Sequence, residues 1–173
     1  MRFVLASVAL TLALTSAAKP AETARFEFCW IGNSGYTMQG VIGFPAELLG
    51  TGIITDAQVT EFRIVGLLND VPVGAWSLGD LTPTTSWELY FDTTTLEFPT
   101  GGYSGAQSYQ QWNANGEVND CGVGGFGFNG GNLYQDVCID NTWITDSSIA
   151  PATPFPAAGP GERARCANAR PVS

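Results

Sequence analysis

Residues Thr51 to Asp92 read TGIITDAQVTEFRIVGLLNDVPVGAWSLGDLTPTTSWELYFD. Thr55 followed three residues later by Gln58 fits a capping box, so one or two turns of helix are expected there. Phe62 and Ile64 then alternate with Glu61 and Arg63, the period of a half-buried strand. Asn69 and Asp70 tolerate the left-handed backbone of a tight hairpin turn and return the chain into Val71 to Leu78. Pro72 cannot donate to a ladder, which places that return strand at an edge or delays its start. After the loop Thr82-Pro83-Thr84, Trp87, Leu89 and Phe91 alternate with Glu88, Tyr90 and Asp92. Three alternating strands joined by tight turns predict an antiparallel β domain.

The flanking sequence repeats the pattern. Phe26, Phe28 and Trp30 alternate with Arg25, Glu27 and Cys29, and Asn33-Ser34-Gly35 turns them into a partner strand running from Tyr36 to Phe44, ended by Pro45. On the other side, Thr93 to Thr95 turn the chain into Leu96 and Phe98. Further strands are expected at Ser108–Asn113, around Gly125 to Phe128, and at Leu133–Ile139 with Trp143–Ile144, the last two turned at Asp140 and Asn141. Eight or nine short strands, with 21 Gly and 10 Pro to interrupt them, predict a single antiparallel β-sandwich over residues 25–150 with one short helix; a small closed β-barrel is the alternative.

The ends differ. Met1 to Ala18 carry one Arg, an apolar run from Phe3 to Leu14 and the small residues Ser16, Ala17 and Ala18, the three regions of a secretory signal peptide. The apolar run is shorter than the roughly 20 residues a bilayer span needs. Cleavage after Ala18, a linker at 19–24 and release as a secreted protein, extracellular or periplasmic, are the expectations. Residues 151–173 hold five Pro and three Arg without apolar periodicity and read as a disordered tail.

Composition excludes several functions. With no His among 173 residues, the chain has no imidazole base, no Ser-His-Asp or Cys-His nucleophile and no His-dependent metal site. The net charge is −9, and Arg63 is the only basic residue between Phe26 and Ala157, so nucleic acid is not an expected partner. Four cysteines in an exported chain imply disulfides. A Cys121–Cys138 bond would staple the Gly- and Asn-rich segment between them, for about 3 kcal/mol in the chain-entropy model. Cys29 and Cys166 are then left over, and with Cys166 in the tail their pairing is not expected to be secure.

The oxygen-rich loop holding Asn113, Asn115, Glu117, Asn119 and Asp120, with Asp136 and Asp140 beyond it, lacks the spacing of a calcium loop and reads as turn-forming side chains. No metal, cofactor or catalytic residue is expected. Glu88 and Asp92 share a strand face about 13 Å apart, too far for a hydrolytic pair, and fit a solvated face better. Trp30, Trp76 and Trp87 keep phase with apolar neighbours and are assigned to the core. Tyr109 and Trp112, beside Gln110 and Gln111, are the expected exposed faces for ligand stacking.

Gly52-Ile53-Ile54-Thr55 and the run that ends at Trp87, Leu89, Phe91 and Asp92 resemble the plan of β-rich proteins that many Gram-negative bacteria export with a C-terminal sorting signal. Thr153-Pro154-Phe155-Pro156-Ala157 resembles the VPLPA form of that signal, a relative of the PEP-CTERM signal, keeping Pro154, Pro156 and Ala157. Arg163, Arg165 and Arg170 follow it, but the transmembrane helix of that family does not. The resemblance implies a cell-surface or matrix protein. The leading expectation is therefore an exported, non-enzymatic surface or extracellular-matrix-type protein that contacts polysaccharide or other surface proteins, with no membrane span in the mature chain. A carbohydrate-binding module is the alternative, and a carboxylate-based glycoside hydrolase the third reading. Two or more exposed aromatics in a row would favour the second; two carboxylates facing across a cleft would favour the third.

Overall fold

The computed structural model describes residues 22–164 and Cys166. The expected signal peptide lies outside the described residues. The architecture is all-β and antiparallel. Strands β1 (Thr23–Ile31), β2 (Tyr36–Pro45), β4 (Glu61–Leu68) and β5 (Val71–Ser77) form one sheet in the order β1-β2-β4-β5. A second sheet has the order β11-β10-β9-β8-β6, from β6 (Trp87–Glu88), β8 (Gln111–Trp112), β9 (Phe126–Gly130), β10 (Gln135–Ile139) and β11 (Thr142–Ile149). The short strands β3 (Ile53–Thr55) and β7 (Tyr90–Asp92) pair separately. Neither sheet closes on itself, and the arrangement is sandwich-like.

Local chemistry explains the hairpins. Asn69 and Asp70 both take positive φ, 51° and 66°, as do Asp140 and Asn141, 52° and 58°. Such two-residue left-handed loops match the twist of the strands they join. Pro72 lies on β5, an edge strand, opposite Leu67 where the β4–β5 register shifts, so its missing N–H costs no ladder bond. Gly66 and Gly74, on β4 and β5, leave room for the Phe126 ring; a Cβ at Gly66 would overlap that ring. Thr55 and Gln58 flank a single 3-10 turn, Asp56–Gln58, with Gln58 Oε1 accepting the Thr55 N–H at 2.8 Å. Ser77 and Asp80 repeat the device around Leu78–Asp80.

The two sheets meet through aromatic rings. Phe62 of β4 packs on Trp112 of β8 at 4.9 Å between centroids, and Trp30 of β1 on Phe128 of β9 at 5.4 Å. Trp76 is buried and Trp87 is half-buried against the same core, as their phase predicts. Burying this many large rings supplies most of the driving force.

Three expectations are corrected. The strand expected from Trp87 to Asp92 breaks at Leu89: Trp87 and Glu88 join the second sheet, while Tyr90 to Asp92 pair with β3. The break is filled by the buried amide of Gln110, whose Oε1 accepts the Tyr90 N–H and whose Nε2 donates to the Tyr90 carbonyl. The described parts of the expected linker and tail also belong to the domain, since β1 begins at Thr23 and residues 151–164 run through the fold; residues 19–21, 165 and 167–173 lie outside the described residues. Phe155, 1% exposed, inserts between the sheets, and its carbonyl accepts the Phe98 N–H at 2.9 Å. Pro154 and Pro156 hold the segment extended, which suits a chain that delivers one side chain to a core without making a strand. The third correction is Cys29, which is bonded to Cys166, with 5.4 Å between Cα atoms.

Candidate functional site

The outer face of the second sheet carries a polar layer where its inner face carries rings. Gln111, Asn129 and Asp136 are register partners across β8, β9 and β10, just as Trp112 and Phe128 are partners on the inner side. The Tyr109 hydroxyl donates to Gln111 Oε1 at 2.9 Å and accepts from Asn129 Nδ2 at 2.9 Å. Asn129 Oδ1 accepts the Gly131 N–H at 3.0 Å, which fixes the β9–β10 connection. Asp136 Oδ2 accepts the Trp143 indole N–H at 2.9 Å; its Oδ1 is sealed from solvent, and the buried Ser148 hydroxyl is the polar group that acts on this carboxyl besides the indole.

One wall of the site is the segment 113–124, folded over this face. Ala114, Val118, Cys121 and Cys138 make a small second core, and Cys121 is bonded to Cys138 across 5.9 Å between Cα atoms. Asn113 Nδ2 donates to the Cys121 and Phe126 carbonyls, and the Asp120 carboxylate accepts the Asn115 N–H and the Ser86 hydroxyl. The Asn and Asp side chains of this loop are thus occupied in turns. Among the described residues no group of three or more His, Cys, Asp or Glu side chains is placed to hold a metal ion. Val118 takes a φ of 56°, a conformation that costs a β-branched residue energy and that its buried side chain holds in place.

The opposite wall comes from the loop after Gly101. Glu88 pins it, accepting the Ser104 hydroxyl at 3.0 Å and the Gly105 N–H at 2.7 Å, and so leaves Tyr103 pointing outward at 72% exposure. Tyr134, 48% exposed, and Trp143, 41% exposed, complete the rim. Between the walls is a cleft of about 310 Å³ whose floor includes Tyr109, Asn129 and Asp136.

The expected stacking residues are therefore corrected. Trp112 is fully buried and Tyr109 is 5% exposed. The reason is that Gln110, whose polarity pointed to solvent, is itself buried and spends its oxygen on the Trp112 indole N–H at 3.1 Å. The solvent-facing aromatics are Tyr103, Tyr134 and Trp143. Glu88 and Asp92 both do structural work: Asp92 Oδ1 accepts the Thr94 and Thr95 N–H groups of a turn. Of the sorting-like motif, Pro154 and Pro156 are exposed and Ala157 is half-buried against the core. Asp136 had no motif to announce it; the only sign was a carboxylate inside the run Gln135-Asp136-Val137-Cys138-Ile139.

Burial raises the Asp136 carboxyl from an ordinary 3.8 to about 6, opposed by the Trp143 indole N–H and then by the Ser148 hydroxyl, both of which favour the anion. Because the folded value lies above the unfolded one, the native state binds the proton more tightly between these values. Stability from this group is therefore greatest below about pH 4 and is lost as pH rises through 6, by up to about 3 kcal/mol. Urea unfolding of native protein and Asp136→Asn at pH 4.5 and 7 tests this. The native chain should lose more stability over the interval than the variant; equal pH dependence would contradict the assignment.

No protein-family model, no curated protein and no solved structure matches the chain. Among the described residues, no helix is long and apolar enough to cross a membrane.

Proposed function

We propose that the protein is an exported, non-catalytic surface or matrix-type domain that binds glycans in the cleft rimmed by Tyr103, Tyr134 and Trp143. The observation that carries this reading is the convergence of three exposed aromatic side chains on one cleft with a hydrogen-bonding floor. Flat apolar ring faces cover the C–H faces of a sugar, and a few fixed polar groups orient its hydroxyls. The signal-peptide pattern of residues 1–18 and the two disulfides support export to an oxidising compartment.

The cleft favours holding over cleaving. Glu117 and Asp136 both line it, but a hydrolytic pair needs two carboxyl groups that reach the glycosidic bond. One oxygen of Asp136 is taken by the Trp143 indole and the other is sealed from solvent. Asp136 supports the rim, and among the described residues lining the cleft Glu117 is left without a second carboxyl group to react with it.

Binding of the full chain to soluble and insoluble polysaccharides tests the proposal. Trp143→Ala should weaken binding about tenfold, since Trp is among the residues enriched at binding hot spots and offers the largest ring face on the rim, and Tyr134→Ala should weaken it less. Unchanged binding in both variants, with melting temperatures close to native, would overturn it.

A further inference from the structure

Charge is sorted between the two sheets. Arg25, Arg63 and Arg163 are the only basic residues from 22 to 164, and all three line a hollow on the outer face of the first sheet. The aromatic cleft lies on the outer face of the second sheet, where its charged lining among the described residues is Glu117 and Asp136. The whole chain carries −9. Among the described residues no basic side chain lines the cleft, so a ligand there meets a negative potential from its carboxylates.

Two further features sharpen this. The rim is three-sided and aromatic, and ring faces attract cations through their quadrupole. The Trp143 indole N–H donates to the Asp136 carboxylate, which is 3% exposed and whose second oxygen is sealed from solvent. A carboxylate behind the N–H pushes electron density into the ring and makes its face more attractive to a cation. It also leaves a buried charge that an approaching cation would stabilise.

We propose that the cleft selects glycans bearing free ammonium groups, partly or fully deacetylated amino sugars, over neutral ones. The inference rests on the reading of the cleft as a glycan site and adds the ligand's charge. Glu117, exposed on the wall with one oxygen accepting from Asn119 Nδ2 at 3.1 Å, would face the ammonium directly. Asp136 acts through Trp143 as a positioning residue. An acidic glycan is disfavoured on the same grounds.

The test is calorimetric titration of the full chain at pH 7 with glucosamine oligomers, N-acetylglucosamine oligomers and cello-oligosaccharides of equal length. Glucosamine oligomers should bind about tenfold more tightly than the other two. Glu117→Gln and Asp136→Asn keep the shape of each group and remove its charge. Each should reduce the preference, and the double variant should bring the ratio of glucosamine-oligomer to neutral-oligomer affinity within about twofold. A merely structural role for Asp136 would weaken all three ligands together and would overturn the proposal. Neutral oligomers binding as tightly as glucosamine oligomers would overturn it while leaving the glycan site standing; no binding of any oligomer would remove both. Oligolysine competing as well as the glucosamine oligomer would also overturn it, by reducing the preference to net charge.

Discussion

Replacing Phe155 with Ala should lower the unfolding free energy by about 3–5 kcal/mol, a large part of the 5–15 kcal/mol that a domain of this size has. The ring is 1% exposed and sits between the sheets, with centroids 4.9 Å from Phe98, 5.6 Å from Phe28 and Phe128, and 5.8 Å from Trp112. Those partners come from both sheets and from the Thr93–Pro99 connection, so the cavity left behind has no flexible wall to collapse into. The main-chain bonds around it, from the Phe98 N–H to the Phe155 carbonyl and from the Ala157 N–H to the Leu96 carbonyl, depend on the ring holding the segment in place. Pro154→Ala, one residue away and exposed, should change stability by less than about 0.5 kcal/mol. Urea titrations of the two variants decide the matter. A loss below about 1 kcal/mol for Phe155→Ala would mean that the segment does not belong to the core.

Removing the Cys29–Cys166 bond should have a comparable effect. It links residues 137 apart, and in the chain-entropy model a loop of that length restricts the unfolded chain by close to 5 kcal/mol, against about 3 kcal/mol for the 17-residue Cys121–Cys138 separation. The bond fastens the C-terminal segment to β1, along whose free edge the Ala158 N–H also donates to the Glu27 carbonyl at 2.7 Å. A Cys29→Ser, Cys166→Ser double variant should therefore unfold at lower urea than the corresponding Cys121, Cys138 variant. Peptide mapping without reductant should recover the Cys29–Cys166 cross-link. Equal midpoints for native protein and the first variant, or free thiols at both positions, would contradict this.

The features legible in the sequence were those decided within a few residues. Asn69-Asp70 and Asp140-Asn141 are turns because their own side chains tolerate positive φ, and the alternation of Phe26, Phe28 and Trp30 is the pleat itself. Features set by distant partners were not legible. The break at Leu89 depends on the Gln110 side chain, 21 positions on, substituting for a neighbouring strand. Phe155 has no periodicity to reveal it, because a single ring between two prolines contributes one contact point to the core. Tyr109 and Trp112 differ from expectation for a related reason: polar neighbours suggest solvent, yet the Gln110 amide is buried and fully employed. Trp143 sat in a short hairpin strand whose outward face only the register with Cys138 reveals. The Cys121–Cys138 pair was legible from its spacing. Its consequence, a wall for a cleft, needed the fold of the segment between.

The most direct test of the glycan cleft is nitrogen-15 NMR of the full chain during titration with glucosamine oligomers. Five Trp indole N–H signals give reporters in the core and on the surface at once. The Trp143 indole signal and the Gly131 amide, which is bonded to the cleft floor, should shift in saturable fashion, while the indoles of Trp30 and Trp112 stay fixed in the core. Shifts confined to the first sheet around Arg63, or no saturable shift at Trp143, would contradict it.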